Sequence, residues 1–325
     1  DTNGDGELSY AEAASVTSIE GAITIKTITS FDEFQYFTGV TSIPDECFKD
    51  WIKLTSIILP TSIVFIGKKA FENCSSLSSS IIVPVGVDKI DEYTFYGCTS
   101  LSSVILPEAL IEIGEYAFYN CSNLTSITIP ESVVIIGGAA FEDCSNLTKI
   151  KIPQSVTHIG GYAFDGCIGL TEVVIPMSVT RIENGLLYGC TNLRSIVLPN
   201  SITSIGEMAF QSCSSLESII IPENVTSIGL QAFCDCSTLS SIVIPKSVIS
   251  IGSRKYPNVL TNCSSLESIR VDKNNTVYDS NDNCNAIIET ASHTLISGCK
   301  NTIIQESVAI IGKSAFNGCN YLSSI

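Results

Sequence analysis

The strongest constraint on this 325-residue chain is a short motif that recurs about every 23 residues along most of its length. Prolines mark the period with one step of 24 residues and then seven steps of 23, at positions 60, 84, 107, 130, 153, 176, 199, 222 and 245. Cysteines keep the same period at positions 74, 98, 121, 144, 167, 190, 213 and 236. Self-similarity of this kind is typical of repeat proteins, whose units stack on one another.

The first half of one unit, residues 121–141, predicts a short β-strand. Leu124, Ile127 and Ile129 have the spacing L-x-x-L-x-L, and the last of these positions alternate with the period of two that a strand requires. Pro130 follows immediately and ends the strand, because proline cannot donate a backbone hydrogen bond to a neighbour.

The second half of the unit predicts a return to the next coil. Val133 and Ile136 point inward on another short extended segment, and Gly137 is expected to permit a turn. Ala140 and Phe141 fit a single helical turn that brings the ring into the core. The sequence therefore predicts a leucine-rich-repeat solenoid, a right-handed superhelix of ~23-residue coils with short parallel β-strands and short helical turns.

A single coil of this type cannot fold alone. About seven inward side chains contribute roughly 1.5–3 kcal/mol each when fully buried. Ordering one coil costs on the order of 35 kcal/mol at about 1.5 kcal/mol per residue. We therefore expect the stability to arise from interfaces between neighbouring coils.

The two ends of the chain depart from the regular period. Residues 1–22 are predicted to form an N-terminal cap with a calcium loop of the EF-hand type and a short helix. Residues 23–325 are predicted to form the solenoid, with an irregular insertion at 253–302. We expect that the chain is a trimmed part of a longer protein, with signal and anchor outside it.

Residues 1–12 match the calcium-loop pattern D-x-[DN]-x-[DN]-G-x5-E. Ser9 is expected to make a direct or water-bridged contact with the ion, and Gly6 to form the sharp turn. The alternative is a polar N-terminus that holds no ion. Calcium is the one cofactor that the sequence predicts, with oxygen ligands from Asp1, Asn3, Asp5, the backbone of Glu7 and both carboxylate oxygens of Glu12.

The periodic cysteines are predicted to be buried free thiols. Stacking places their Cα atoms about 5 Å apart, within the range for disulfides, but their Cβ bonds then run parallel and keep the sulfur atoms apart. A straight column also cannot direct four ligands at one zinc ion. The thiols therefore act as small apolar groups. A disulfide is an alternative only for Cys284 and Cys299, which lie in the irregular insertion.

The sequence gives little support for catalysis. Of its two histidines, His158 occupies a variable surface position of the repeat. His293 lies in the irregular insertion near two cysteines, but no third orienting group accompanies them. Residues 312–314 imitate the end of a phosphate-binding loop, yet Ser307 stands where that loop requires its first glycine. We predict a protein without enzymatic activity.

Charge and hydropathy exclude two further classes of function. The formal net charge is −16, and Lys and Arg are scattered along the chain. Binding of nucleic acid or of an anionic membrane surface requires a basic face, which this distribution does not provide. No apolar run approaches the roughly 20 residues of a transmembrane helix.

The pattern C-x-x-L-x-x-I-x-I-P-x-S-V-x-x-I-G-x-x-A-F resembles the BspA-like (Treponema pallidum-type) leucine-rich repeats of bacterial surface proteins, over about residues 40–325. The opening D-T-N-G-D-G-E-L-S-Y-A-E-A and the insertion at 277–299 are similar to segments of Bacteroides members. The resemblance implies a secreted or surface-anchored protein, and some members bind host extracellular-matrix proteins or other bacteria. It implies no functional residues, because the motif is a scaffold.

The position between the two inward aliphatic residues of each strand predicts an exposed aliphatic stripe, interrupted at Thr128 and Lys151. Contiguous apolar patches often mark contact surfaces. The preference of Val and Ile for strands is an alternative explanation. The predicted partner-binding residues of the stripe are Ile58, Ile82, Ile105, Val174, Val197, Ile220 and Val243.

These features predict a non-enzymatic, adhesin-like protein at the cell surface or secreted, which binds a protein partner from host matrix or a bacterial surface. One alternative is a carbohydrate-binding surface module, which requires clustered exposed aromatic rings. Another is a structural spacer that displays a further domain. The tyrosines that align for the carbohydrate alternative are Tyr93, Tyr116, Tyr119, Tyr162 and Tyr188.

Overall fold

The computed structural model describes residues 8–21, 25–252, 259–280 and 283–319. The chain divides into two compact units, Asp1–Gly160 and Gly161–Ile325. Helix is scarce: the described residues contain one α-helix, α1 (Tyr10–Ser15), and one 3₁₀ helix (Asp32–Tyr36). Each unit consists mainly of stacked coils of extended segments and tight turns.

In the first unit, each coil from Pro60 to Pro153 contributes one strand before its proline (a front strand) and one after it (a side strand). The coil before them contributes one strand of each kind, but its proline, Pro44, follows both. The front strands are β1 (Ser30–Phe31), β3 (Ser56–Ile57), β5 (Ile81–Ile82), β7 (Val104–Ile105), β9 (Ser126–Thr128) and β11 (Lys149–Lys151). The side strands are β2 (Ser42–Ile43), β4 (Phe65–Ile66), β6 (Lys89–Ile90), β8 (Glu112–Ile113), β10 (Ile135–Ile136) and β12 (His158–Ile159).

The strands of the first unit pair in parallel and in the register of the repeat. Side strand β10 pairs with both β8 and β12, which aligns Ile136 with Ile113 on one side and with Ile159 on the other. Front strands β9 and β11 align Ile127 with Ile150 in the same way. Identical motif positions thus lie above one another, which confirms the predicted solenoid of ~23-residue coils.

The second unit repeats this arrangement. Its front strands are β13 (Glu172–Val174), β15 (Ser195–Val197), β18 (Ser241–Ile244) and β20 (Ser268–Val271). Its side strands β14 (Arg181–Ile182), β16 (Ser204–Ile205), β17 (Ser227–Ile228) and β19 (Ser250–Ile251) form one parallel sheet in that order.

The rhythm of parallel coils is interrupted within the predicted insertion. Strands β21 (Tyr278–Asp279), β22 (Ala286–Glu289) and β23 (Thr294–Gly298) pair antiparallel in sequence order. Strand β24 (Ile310–Ile311) then pairs parallel with β23. The segment is therefore an antiparallel meander with a small core of its own, formed by Cys284, Ala286, Ile288, Leu295 and Ala315.

A column of phenylalanine rings fills the core of the first unit. Successive rings stack with centroid separations of 5.1–5.4 Å and interplanar angles of 5–19°. Offset stacking at this distance is favourable by about 0.5–1.5 kcal/mol per pair beyond the area that is buried. Each coil therefore stabilises the next one through its ring, and the stacked residues are Phe48, Phe71, Phe95, Phe118 and Phe141.

The segment that was predicted to be a helical turn instead consists of consecutive tight turns. Residues 115–121 alternate their backbone bonds: Phe118 N donates to Ala140 O in the next coil at 2.8 Å, whereas Tyr119 N donates within its own coil to Tyr116 O at 3.2 Å. Tyr116 and Asn120 both adopt positive φ, at 54° and 52°. A helical turn would use all of these donors internally, so the bonds between coils favour the tight turns.

Gly137 also differs from its predicted role, because it is not among the residues with positive φ. A Cβ atom at this position would lie 2.6 Å from the backbone N of Glu115 and 2.6 Å from the carbonyl C of Gly114. The glycine is therefore required by the close approach of the neighbouring coil rather than by a turn.

We expect a loss of stability at one position and almost no change at a nearby one. Gly137→Ala should lower the free energy of unfolding by about 1–3 kcal/mol, because the neighbouring backbone must shift. Ala139→Gly should change it by less than about 0.5 kcal/mol, since relief of positive φ offsets the added entropy of the unfolded chain. Urea unfolding of both variants measures these values. A loss of about 1 kcal/mol for Ala139→Gly would instead support a helical turn.

Candidate interaction surfaces

The predicted calcium loop lies mostly outside the described residues, which include neither Asp1, Asn3, Asp5 nor Glu7. Its last two ligand positions are described and lie side by side. Ser9 caps α1, and its N and Oγ donate to Glu12 Oε2 at 2.9 and 2.8 Å. This capping box holds the carboxylate of Glu12 at the first turn of α1, the position that the calcium loop requires. The calcium site stays a prediction.

The periodic cysteines form a column of buried thiols that are hydrogen bonded rather than cross-linked. Most of these thiols donate to the carbonyl of the phenylalanine in the preceding coil, for example Cys98 Sγ to Phe71 O at 3.1 Å and Cys121 Sγ to Phe95 O at 3.2 Å. Cys213 Sγ donates to Leu187 O, where leucine takes the place of the phenylalanine. All fourteen cysteines of the chain are free, Cys284 and Cys299 included. The thiol is therefore a packing group that also donates one weak bond to the neighbouring coil.

Burial makes these thiols poor nucleophiles. It raises the pKa of Cys74 to about 12 and raises the pKa of Cys98 and Cys121 well above the ordinary value. Burial also raises the pKa of Cys284 and Cys299 in the antiparallel meander. Because the thiolate is the reactive form, the geometry provides no activated cysteine at these positions.

The two histidines lie apart from any catalytic arrangement that the described residues show. His158 is exposed on side strand β12, as its variable position predicted. His293 occupies the turn between β22 and β23 with a φ of 52°, and its carbonyl accepts a bond from Ala309 N at 2.9 Å. Within the described ranges, no group of three His, Cys, Asp or Glu side chains is arranged to hold a metal ion.

Four tyrosines of the first unit form a two-by-two stack. Tyr93 stacks on Tyr116 with a centroid separation of 4.8 Å, and Tyr96 stacks on Tyr119 at 4.5 Å. The ammonium group of Lys69 lies 5.4 Å from the centroid of the Tyr93 ring. Stacking covers one face of each of the four rings, and Lys69 lies over the other face of Tyr93. Sugar stacking requires open faces, so this cluster does not support the carbohydrate alternative.

Tyr96 was missed in the sequence, although its signal is present, because it precedes Tyr119 by one period of 23 residues. The two other tyrosines of the predicted set lie in the second unit. The Tyr162 ring packs over Gly185, where a Cβ atom would lie 2.2 Å from its Cε1. One face of the Tyr162 ring is therefore covered by backbone. Tyr188 lies three residues after Gly185, in the same turn segment.

The predicted aliphatic stripe is exposed at every one of its seven positions. In the first unit Ile58, Ile82 and Ile105 are 45, 63 and 52% exposed. In the second unit the exposed fractions are 56, 60, 85 and 54%, for Val174, Val197, Ile220 and Val243. Within each unit these side chains follow the front strands, and partners such as Ile82 and Ile105 lie in direct register.

The repeat geometry can now be compared with known proteins. Four overlapping segments, residues 17–148, 66–194, 157–289 and 286–325, match the family described as BspA type leucine rich repeat region, with six copies of its model. The chain belongs to this BspA-type family. The match indicates no catalytic family, and comparison with curated proteins gives no significant match.

Solved structures with this repeat come from several bacteria. A leucine-rich repeat protein from Bacteroides ovatus ATCC 8483 is 31% identical with a TM-score of 0.72, over 86% of this chain and 68% of that chain. The leucine-rich repeat protein of T. pallidum is 30% identical with a TM-score of 0.42, over 55% of this chain and 72% of that chain. A leucine-rich cell surface protein from Faecalibacterium prausnitzii A2-165 is 27% identical with a TM-score of 0.46, over 75% and 82% respectively.

In this BspA-type chain, the motif residues are accounted for by packing. The phenylalanines, cysteines and inward aliphatic residues are buried, and glycines that follow side strands, such as Gly137 and Gly229, allow close approach of the preceding coil. Residues that distinguish the function of this chain must therefore lie on outward positions. None of the helices in the described ranges has the length and apolar character needed to span a membrane.

The calcium hypothesis has a direct test. We expect terbium added at millimolar concentration to give sensitised luminescence, and calcium to displace it, because the sequence of residues 1–12 has the ligand pattern of an EF-hand type site. Glu12→Gln should weaken ion binding at least tenfold, since it removes the bidentate carboxylate. Glu33→Gln is the matched control with an acidic residue outside the loop. Absence of luminescence in the wild-type protein would dismiss the site.

A second prediction concerns alkaline pH. Because burial raises the pKa of Cys74, Cys98 and Cys121, the folded state holds protons that the unfolded state releases above its thiol pKa of about 8.5. The stabilisation is complete below that value and is lost as the pH rises toward the folded pKa, about 12 for Cys74. Urea unfolding at about pH 7.5 and pH 10.5 should show this loss.

Lysine and tyrosine side chains titrate in the same alkaline range, so the comparison needs a variant without the thiols. The double variant Cys98→Ala/Cys121→Ala should lose less stability between the two pH values than the wild-type protein does. Equal losses in both proteins would show that the buried thiols do not contribute to the pH dependence.

Proposed function

We propose that this chain is a non-enzymatic, adhesin-like binding protein, located at the bacterial cell surface or secreted, whose front-strand face engages a protein partner. Membership of the BspA-type family supports the surface or secreted location. The acidic net charge of −16 disfavours nucleic acid and anionic membranes as partners. A host matrix protein or a bacterial surface protein is the class of partner that agrees with these properties.

The observation that carries this proposal is the exposure of Ile220. It is the most exposed residue of the aliphatic stripe at 85%, yet residues 219–221 belong to no strand of the structure. The preference of Val and Ile for strands therefore does not explain an isoleucine here. Its neighbours in the second unit, Val197 and Val243, are also more than half exposed. Contact with a partner gives this patch a reason to be aliphatic.

The proposal is tested by replacing the second-unit valines of the stripe. The triple variant Val174→Thr/Val197→Thr/Val243→Thr keeps β-branched side chains but places a hydroxyl on each. We expect it to weaken binding to immobilised extracellular-matrix proteins at least tenfold, measured by surface plasmon resonance against a panel of purified proteins and bacterial surface extracts.

The matched control removes three exposed apolar side chains of the same unit that lie outside the stripe. These are Ile168, Met177 and Ile249, which are 43, 75 and 60% exposed, each replaced by Thr. The control should bind like the wild-type protein. If the stripe variant binds as well as the wild-type protein, the aliphatic stripe reflects only the preference of Val and Ile for strands. If the wild-type protein binds no member of the panel, the result favours a structural spacer that displays a further domain.

A further inference from the structure

The single 24-residue step of the repeat marks a local irregularity in the front face of the first unit. Leu77 and Ile81 are four positions apart, whereas the equivalent Leu101 and Val104 in the next coil are three apart. The additional residue therefore lies in the serine run 78–80, immediately before front strand β5. Among the nine coils marked by proline, this is the only one with an insertion at that point.

The added serine changes the pairing between coils. Ser78 N and Ser79 N both donate to the same carbonyl, Thr55 O, each at 3.1 Å, which is the arrangement of a bulge. Among the described strands, β3 pairs with β1 and β5 pairs with β7, so no ladder joins β3 to β5 beyond the bulge. The front strands β7 and β9, at the regular spacing, are likewise not joined, so the pair of hydrogen bonds to Thr55 O is what distinguishes this step.

A groove of about 440 Å³ lies on the outward side beside this bulge. Its apolar wall consists of the exposed stripe residues Ile58 and Ile82 together with Leu59 and Pro84. This volume lies within the ordinary range of about 300–1,000 Å³ for ligand sites. The groove thus adds depth to a part of the stripe that would otherwise be a flat row of side chains.

Two polar groups at the groove lack partners within the described part of the chain. The Oγ atom of Ser79 is buried and makes no hydrogen bond. Asp32, at the start of the 3₁₀ helix, also lines the groove, and no described Lys or Arg nitrogen lies within 4.0 Å of its carboxylate. A buried hydroxyl without a partner is costly, by roughly 1–3 kcal/mol, and a ligand can supply that partner.

We propose that this groove binds a segment of the partner protein in which an aliphatic side chain lies next to a lysine or arginine. The aliphatic side chain packs between Ile58 and Ile82, and the cationic group pairs with Asp32. Rotation of the Ser79 side chain to another rotamer lets its hydroxyl bond the backbone of the bound segment. This inference rests on the proposed function, because it assigns a recognition element to the same stripe.

Charge favours this occupant over two others. An uncharged apolar ligand would leave the Asp32 carboxylate desolvated without a counter-ion, which is unfavourable. A second copy of the chain carries the same net charge of −16, so its approach is opposed by repulsion at low ionic strength. A cationic, aliphatic segment satisfies both the walls and the carboxylate.

The probe is a display library of random nine-residue peptides, selected on the immobilised 325-residue chain and counter-selected on its Ile82→Ser variant. We expect selected peptides to be enriched in Leu, Ile or Val adjacent to Lys or Arg. The strongest peptide is then synthesised with a fluorophore, and its affinity is measured by fluorescence anisotropy at low and high salt.

Three variants locate the binding of that peptide. Ile82→Ser should weaken it on the order of tenfold through lost apolar contact, and Asp32→Asn should weaken it and reduce its salt dependence. Deletion of Ser79, which restores the 23-residue spacing, should close the groove and abolish binding. The matched controls Ile111→Ser and Glu33→Gln change an exposed isoleucine and an exposed acid of the same unit and should bind normally.

The possible outcomes separate this inference from the proposed function. The proposal that the groove binds a partner segment would be overturned if no peptides are enriched. It would also be overturned if the enriched peptides bind the Ile82→Ser and Asp32→Asn variants as tightly as the wild type. Self-association of the chain that Ile82→Ser abolishes, without peptide binding, would overturn it in favour of a second copy. If matrix binding fails but peptides bind the groove, the proposed function fails and the groove stands. If matrix binding depends on the second-unit valines and no peptide is selected, only the groove fails.

Discussion

Hydrogen bonding between the backbones of adjacent coils is the interaction on which the rest of the structure depends. Within the first unit it occurs on three sides of a coil. Beside the front strands, Thr148 N donates to Thr125 O at 3.2 Å, and beside the side strands, Gly137 N donates to Ile113 O at 2.8 Å. Between the turns, Phe118 N donates to Ala140 O at 2.8 Å. Because buried backbone groups must be paired, each coil requires a neighbour with the same path. The period of 23 residues is the sequence expression of that requirement.

The same constraint explains why the inward residues carry structure and not chemistry. A phenylalanine ring that stacks on Phe118 at 5.3 Å and a thiol that donates to a carbonyl of the neighbouring coil have no freedom to meet a substrate. Burial raises the pKa of the thiols for the same reason, so the most reactive residue type of the chain is held in its inert form. A catalytic site in such a protein would have to be built on outward positions, and the two histidines of the chain lie on separate elements, strand β12 and the turn between β22 and β23.

The architecture, the inward positions and the exposure of the stripe could all be predicted from the sequence, because each depends on a periodic pattern. Features that depend on the path of the neighbouring coil could not. Gly137 is needed because Glu115 N would lie 2.6 Å from a Cβ atom, and no local pattern reports a contact 22 residues away. The prediction of a helical turn was wrong for the same reason, because hydrogen bonds to the next coil outweigh the local preference of these residues for helix. The repeat places Tyr93 and Tyr116 at equivalent positions, but it does not determine the side-chain orientations that stack their rings.

A perfectly regular solenoid presents a flat front face, because every coil repeats the same outward step. Specific recognition needs depth and unpaired polar groups, and these arise where the register is broken. In the first unit the additional serine before Ile81 forms a bulge beside a groove of about 440 Å³, and the hydroxyl of Ser79 there has no partner. The front strands on either side of the bulge keep their partners, β3 with β1 and β5 with β7, so the stack accommodates the inserted residue. A one-residue insertion is therefore the least disruptive way for this type of fold to convert a scaffold surface into a binding groove.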